Sequence, residues 1–326
     1  MNLKTKMEKV INNSYSNIAG IVVLKKGEKV YENYFNEFTS DSNVHIFSVT
    51  KSIISILIGI AIDRGNIESV DKRVLDYFPE YEVQKGEKTI FSITIRDLLT
   101  MTAPYKYKSD SNAIYSKYFE SSDWVKSSLD YLGGSGKIGE FRYTPIIGPD
   151  ILSGILVKAT GQSVIDFANE NLFLPLGITA KDNIFFHNKE EQMAFYKAKN
   201  PNGWVMATNG VNTAGWGLSL TALDMAKIGQ LYLNDGMWEG KQIVSESWIN
   251  ESTVAHSKGK EWKLSFGYLW WIVDEKEHIY AAMGDGGNII YINESKEMVV
   301  SISSIYDVKV KERIKLIREY VEVGVG

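Results

Sequence analysis

The chain has 326 residues, 36 lysines and arginines against 40 aspartates and glutamates (net charge −4), 44% apolar residues and no cysteine. The missing cysteines exclude a thiol nucleophile, disulfides and any thiolate-built zinc or iron–sulfur site. The four histidines (His45, His187, His256, His278) offer no His-x-x-x-His pair, so neither metal nor cofactor is expected. Near-balanced charge leaves no electrostatic footprint for nucleic acid, and the length suggests about two lobes of ~150 residues.

Leu3, Met7, Val10 and Ile11 recur at helical spacing among Lys4, Lys6, Glu8 and Lys9, which predicts an amphipathic opening helix. No uninterrupted apolar core follows a basic start, so no secretory signal is expected and the reading is cytoplasmic, or extracytoplasmic if a leader was trimmed. Gly20–Leu24 and Lys29–Phe35 read as strands of a hairpin turning at Lys26-Gly27-Glu28. The most apolar run, Ile53 to Ile62, is half the ~20 residues that cross a bilayer, so it predicts a buried helix and no membrane span. Strand signals return at Phe266–Val273, His278–Met283, Asn288–Ile292 and Glu297–Ser303, and Val310, Ile314, Ile317 and Val321 predict a closing helix. The expected fold is α/β (α+β): one antiparallel sheet built from both termini (1–47 plus 209–326) with a mainly helical lobe inserted (48–208), all one catalytic domain. A cleft between such lobes is where a small-molecule site belongs.

Several chemical motifs fail. Gly217-Leu-Ser219-Leu-Thr221 lacks the second glycine of a nucleophile elbow. The run from Gly236 to Lys241 is too short to cradle phosphate, and Gly284-Asp-Gly-Gly287 lies between strands without dinucleotide spacing. Ser-x-x-Lys occurs three times. That one-turn spacing puts hydroxyl and ammonium on one helix face, where a lysine neutralised by burial takes the serine proton. Ser69–Lys72 and Ser257–Lys260 sit among charged or glycine neighbours and read as surface. Ser48–Lys51 opens the most apolar helix, which predicts a desolvated Lys51 and a serine at the positive end of the helix dipole. From spacing and burial alone, Ser48 is either a nucleophile or a helix cap.

The stretch His45-Ile-Phe-Ser48-Val-Thr-Lys51-Ser52 resembles the nucleophile segment of the serine β-lactamase and penicillin-binding-protein superfamily, in its class C-like branch with esterases, D-aminopeptidases and nylon-oligomer hydrolases. Ile93 to Thr102, Phe141-Arg-Tyr143-Thr-Pro145 with Ile151–Gly161, and Ala214 to Gly229 resemble further family segments in the same order. The resemblance implies a β-lactamase/transpeptidase-like fold, with Ser48 the acylated nucleophile, Lys51 its proton partner and Tyr143 a general-base partner in phenolate or shared-proton form. It also places the backbone N–H groups of Ser48 and Gly287 at the oxyanion hole. Two departures stand out. Pro145 replaces an asparagine, and Gly284-Asp285-Gly286 replaces the motif whose cation holds a substrate carboxylate.

The Gly-Gly-Asn run ending at Asn288 looks closer to the esterase and nylon-oligomer branch. Asp285 and Asn288 are therefore expected substrate contacts, for a small neutral or basic ester or amide. The rival readings are a D-Ala-D-Ala-type peptidase or β-lactamase, and a non-catalytic binding protein that retains the fold. Tyr105, Tyr107, Tyr115, Tyr118 and Trp124 are candidate cleft-lining aromatics, Trp216 a candidate neighbour of the cleft, and His45 reads as structural.

Overall fold

The computed structural model describes residues 3–107, 112–180, 182–260 and 263–325. Strands β1 (Ile18–Lys25) and β2 (Glu28–Tyr34) form the expected hairpin through a tight turn at Lys26-Gly27. Six more strands come from the other end of the sequence: β3 (Ser257–Lys258), β4 (Ser265–Phe266), β5 (Trp271–Asp274), β6 (Ile279–Gly284), β7 (Asn288–Asn293) and β8 (Met298–Ser304). They join in the order β2-β1-β8-β7-β6-β5-β4-β3, every neighbouring pair antiparallel. Val22 faces Ser301 across the β1–β8 junction, so the first and last strands of the sequence lie side by side in the sheet.

Both faces of the sheet are covered. Helix α1 (Leu3–Ser14) contributes Met7 and Ile11, and the C-terminal helix contributes Leu316, Ile317 and Val321, to a core against Ile21, Val23, Tyr291, Val300 and Ile302. The alternate residues of the same strands, Val22, Ile290, Ile292 and Val299, point into the larger core. That core also holds α2 (Val49–Asp63), α3 (Asp150–Thr160) and α4 (Ala222–Leu233). Because the central strands are covered on both sides, all seven residues of β8 are buried, its serines as well as its aliphatic residues. Helix α2 is buried from Val49 to Ala61, packed between β6 and α3, and no single described helix is long and apolar enough to cross a membrane.

Two expected elements are corrected. The strand expected over Phe266–Val273 is two short strands, interrupted at Gly267–Trp270, where Leu269 takes a φ of 61°. The Gly267 and Leu269 amides there donate to Trp270 and Leu99 carbonyls outside the ladder. The closing helix starts at Arg313, so Val310 precedes it and stays exposed.

Candidate active site

Ser48 lies where the short strand Val44–His45 turns into α2. That strand pairs with Ser219 and Leu220, and Ile46 N–H continues the ladder onto the Leu218 carbonyl at 3.0 Å. Phe47 then adopts a φ of 50°, a left-handed conformation uncommon for a bulky residue, and the helix begins. The N–H groups of Val49, Thr50 and Lys51 close onto the carbonyls of Ile46, Phe47 and Ser48. The Ser48 N–H lies ahead of these bonds, among the groups a helix start leaves without an intrahelical partner. From Val44 to Ala61 every residue is buried except Ser48, which reaches solvent. Its side chain makes no capping bond to the helix. The hydroxyl instead meets the Lys51 ammonium at 2.9 Å.

Lys51 is 2% exposed. Its Nζ donates to the Pro145 carbonyl and the Gly215 carbonyl, each at 2.7 Å, as well as to Ser48 Oγ. All three partners are neutral oxygens. Burial pushes the amine down to about 7, while the more distant carboxylates of Asp285 and Asp150 hold it up. Carbonyl oxygens only accept, so when Lys51 is neutral its two N–H bonds stay on Pro145 and Gly215. The lone pair is then left facing Ser48 Oγ. Gly215 makes this arrangement fit, since a Cβ there would press on the Pro145 carbonyl at 3.0 Å. Pro145 thus reaches the lysine through its backbone oxygen, although its side chain offers no hydrogen bond.

Tyr143 is half-buried between Phe266 and Trp271, with ring centroids at 6.3 and 5.5 Å, and its hydroxyl hydrogen-bonds Ser48. Lys51 Nζ lies 5.4 Å from its ring centroid. The segment carrying it is anchored by Arg142, whose N–H bonds the Met101 carbonyl at 2.7 Å and whose guanidinium bonds the carbonyls of Tyr105 and Tyr107. Burial raises the phenol to about 12, the Ser48 hydrogen bond lowers it and Asp285 raises it. Burial thus favours the protonated phenol over a free phenolate, and the hydroxyl keeps its hydrogen bond with Ser48.

The end of β6 closes the other side. Gly284 touches the backbone at Ser48 so tightly that a Cβ there would clash with the Ile46 carbonyl oxygen and sit 3.0 Å from Ser48 N. Gly287, expected beside Ser48, instead packs against the Arg313 guanidinium, because the chain turns away through a short 3₁₀ turn at Asp285–Gly287. Arg313 is buried and bonds the Gly286 and Gly287 carbonyls and Asn17 Oδ1. A cleft of about 480 Å³ behind this turn is lined by Asp285, Tyr306, Asp307 and Arg313, among others, but not by Ser48.

Asn288 lies along the wall of that cleft, but its side-chain amide is taken up by the backbone around it. It is 1% exposed, with its amide on the carbonyls of His45, Asp285 and Ser304 and its Oδ1 accepting from Ser304 N–H at 2.9 Å. It ties the turn to the strand before Ser48. Asp285 is exposed, and its charge acts on Lys51, Tyr143 and Tyr196.

The tyrosines expected to line the cleft pack elsewhere. Tyr105, Tyr107, Tyr118 and Trp124 are buried in the large core, and Tyr115 packs against it. The aromatic wall beside Ser48 is Phe47, with Tyr306 at 5.3 Å and Tyr196 at 5.8 Å between ring centroids. These two tyrosines carried no motif that would have singled them out. His45 is structural, as expected. Its Nε2 accepts from Gly217 N–H at 2.9 Å, and burial lowers its pKa to about 3, which keeps the ring neutral. The two other Ser-x-x-Lys pairs are surface features: Lys72 pairs with Glu68, and Lys260 is exposed.

The sequence is 22% identical over 306 residues to a 6-aminohexanoate-dimer hydrolase from Paenarthrobacter ureafaciens, covering 87% of this chain and 71% of that protein. Among solved structures, an octameric penicillin-binding protein homologue from Pyrococcus abyssi matches with a TM-score of 0.70 at 20% identity, over 99% of this chain and 77% of that one. A family VIII carboxylesterase matches with a TM-score of 0.70 at 16% identity, over 98% and 96%. The beta-lactamase family matches residues 15–323, nearly the whole sequence, and the chain belongs to that family.

Proposed function

We propose that this chain is a serine hydrolase that cleaves small esters or amides through an acyl-enzyme on Ser48. The observation that carries the reading is the lysine geometry. A buried amine held by two obligate acceptors directs its remaining position at the Ser48 hydroxyl, 2.9 Å away. In acylation Ser48 Oγ bonds to the substrate carbonyl carbon and its proton passes to Lys51. The carbonyl π electrons move onto oxygen, and the oxyanion is met by the Ser48 N–H at the positive end of α2. A second donor comes from the peptide that follows Gly284, the Asp285 N–H, in place of Gly287, because Gly284 is the glycine in contact with Ser48. The proton then reaches the leaving oxygen or nitrogen through Lys51 and the Tyr143 hydroxyl, and the bond to the leaving group breaks. Water repeats the sequence to release the acid and restore Ser48.

The test is covalent labelling. A fluorophosphonate probe adds one mass equivalent, mapped to Ser48. No adduct with any acylating probe would leave a non-catalytic binding protein in its place. A second prediction follows from Gly284. Replacing it with alanine drives a methyl into the Ile46 carbonyl and pushes β6 off the nucleophile. Displacements of this size cost about 10²-fold. The kcat/KM of Gly284→Ala on an activated ester should fall by about that factor while its far-UV circular dichroism is unchanged. Full activity would remove Gly284 from the site.

The substrate class follows from charge. No lysine, arginine or histidine occupies Ala282 to Asn288, and Asp285 is exposed at the mouth of the site beside Phe47, Tyr196 and Tyr306. A carboxylate next to aromatic faces favours an ammonium and disfavours another carboxylate. On matched esters, the wild type should favour the amine-bearing substrate over the carboxylate-bearing one by about fivefold, the ~1 kcal/mol typical of an exposed charge. Asp285→Asn should remove the preference. Efficient nitrocefin turnover that depends on Ser48 would instead favour the β-lactamase reading.

A further inference from the structure

Among the described residues, Asp150 is the one buried carboxylate near the site that the chemistry above leaves without a role. It is 1% exposed, at the first position of α3. Its Oδ1 accepts the Ala214 N–H at 2.7 Å, and the Gly215 N–H also bonds the carboxylate. Its Oδ2 accepts from the hydroxyl of the fully buried Tyr118. The other side of the same residue, the Gly215 carbonyl, is what holds Lys51 Nζ at 2.7 Å. Asp150 therefore holds, through its N–H, the same residue whose carbonyl holds the lysine.

We propose that Asp150 is the positioning residue of Lys51. It fixes the Ala214–Gly215 peptide so that the Gly215 carbonyl takes one N–H of the amine, and it supplies a negative charge that tunes when the amine gives up its proton. The inference rests on Lys51 being the base for Ser48. Two further consequences follow from the surroundings. Buried without a cation in contact, the Asp150 carboxyl is pushed up to about 6, with the Tyr118, Ala214 and Gly215 hydrogen bonds and the Lys51 charge acting in the opposite direction. The groups facing the pair are Ser48 on the lysine's own helix, Tyr143 and Asp285 from the segments across it, and Tyr118 behind Asp150, with Tyr107 and Tyr196 acting on Tyr118. An ionised Asp150 stabilises the ammonium form of Lys51, so removing its charge should free the amine at lower pH.

The experiment is the pH dependence of kcat/KM for ester hydrolysis by wild type, Asp150→Asn, Tyr118→Phe and Lys51→Ala. Asp150→Asn keeps an oxygen to accept from Ala214 but removes the charge. Its acid limb should move down by about half a pH unit or more. Tyr118→Phe removes a hydrogen bond that favours the carboxylate, so Asp150 protonates at higher pH, and the limb should move the same way by less. If Asp150→Asn does not fold, the Tyr118→Phe profile decides alone. A merely structural Asp150 would lower the unfolding midpoint and leave the limb where it is, which overturns the proposal. If Lys51→Ala keeps the wild-type limb, the failure lies instead in the assignment of Lys51.

Discussion

Ser48→Ala is expected to abolish both probe labelling and ester hydrolysis, with kcat/KM falling about 10⁴- to 10⁶-fold, the range seen when a serine hydrolase loses its nucleophile. No other residue replaces it. The hydroxyls of Ser69 and Ser257, the serines of the two other Ser-x-x-Lys pairs, are directed elsewhere than at their lysines: Ser69 Oγ accepts from Asp71 N–H, and Ser257 Oγ donates to the Thr100 carbonyl. The loss should come without loss of fold. Ser48 Oγ caps nothing, and the residue is the solvent-reaching one in an otherwise buried stretch. Its truncation takes an acceptor from the buried Lys51 amine, so it should cost about 1–3 kcal/mol, a fraction of the ~5–15 kcal/mol that holds a typical domain. Intact mass after probe treatment and a urea titration measure the two halves separately. An alanine variant that keeps more than about 1% of wild-type turnover would place the nucleophile elsewhere, since background catalysis after such a loss is far smaller.

How much of this was legible in the sequence depends on how local each signal is. Strands β1, β6, β7 and β8 were legible because each is a largely apolar run ended by its own turn residues, and the more polar β2 because it follows the Lys26-Gly27 turn. Lys51 was legible because nothing but desolvation fits a lysine inside a helix of isoleucines. The register of the third motif was not. Gly284, Gly286 and Gly287 are equivalent as letters, and only packing distinguishes the one against Ser48 from the one against Arg313, which comes from the far end of the chain. The Tyr118–Asp150–Gly215 connection was invisible for the same reason, since its members are brought together from three separate segments. Tyr143 was singled out by motif with the nearby cation counted, whereas the burial that raises its phenol comes from residues distant in sequence, Phe266 and Trp271 among them. The cleft tyrosines failed because spacing does not reveal which side of a lobe faces solvent. Tyr118, fully buried, bonds Asp150 from the core side and does not face the cleft.

The second large effect concerns Lys51, where activity and stability share one titration. Only the neutral amine accepts the Ser48 proton. With Lys51 lowered to about 7, kcat/KM should rise through an acid limb near that pH and level off above it. Lys51→Met should lose about 10³-fold or more, consistent with the loss of a general base, and its residual rate should lack the limb. The sign for stability follows from proton counting. The unfolded chain holds the Lys51 proton up to an ordinary lysine pKa of 10.5, whereas the folded chain releases it at about 7. Between those values the unfolded state binds one proton more, so stability increases with pH by about 1.4 kcal/mol per unit from this group. Below about 7 both states are protonated and its contribution is flat. The quantity to measure is the difference in urea unfolding free energy between wild type and Lys51→Met across pH 6 to 10. Hydrogen bonds lost from Pro145 and Gly215 offset that difference by a constant, so only its slope reports the titration. The wild type should gain on the variant as pH rises above 7. Parallel curves over the whole range would mean that Lys51 titrates as an ordinary lysine and is charged at neutral pH, and Ser48 would then lack a base.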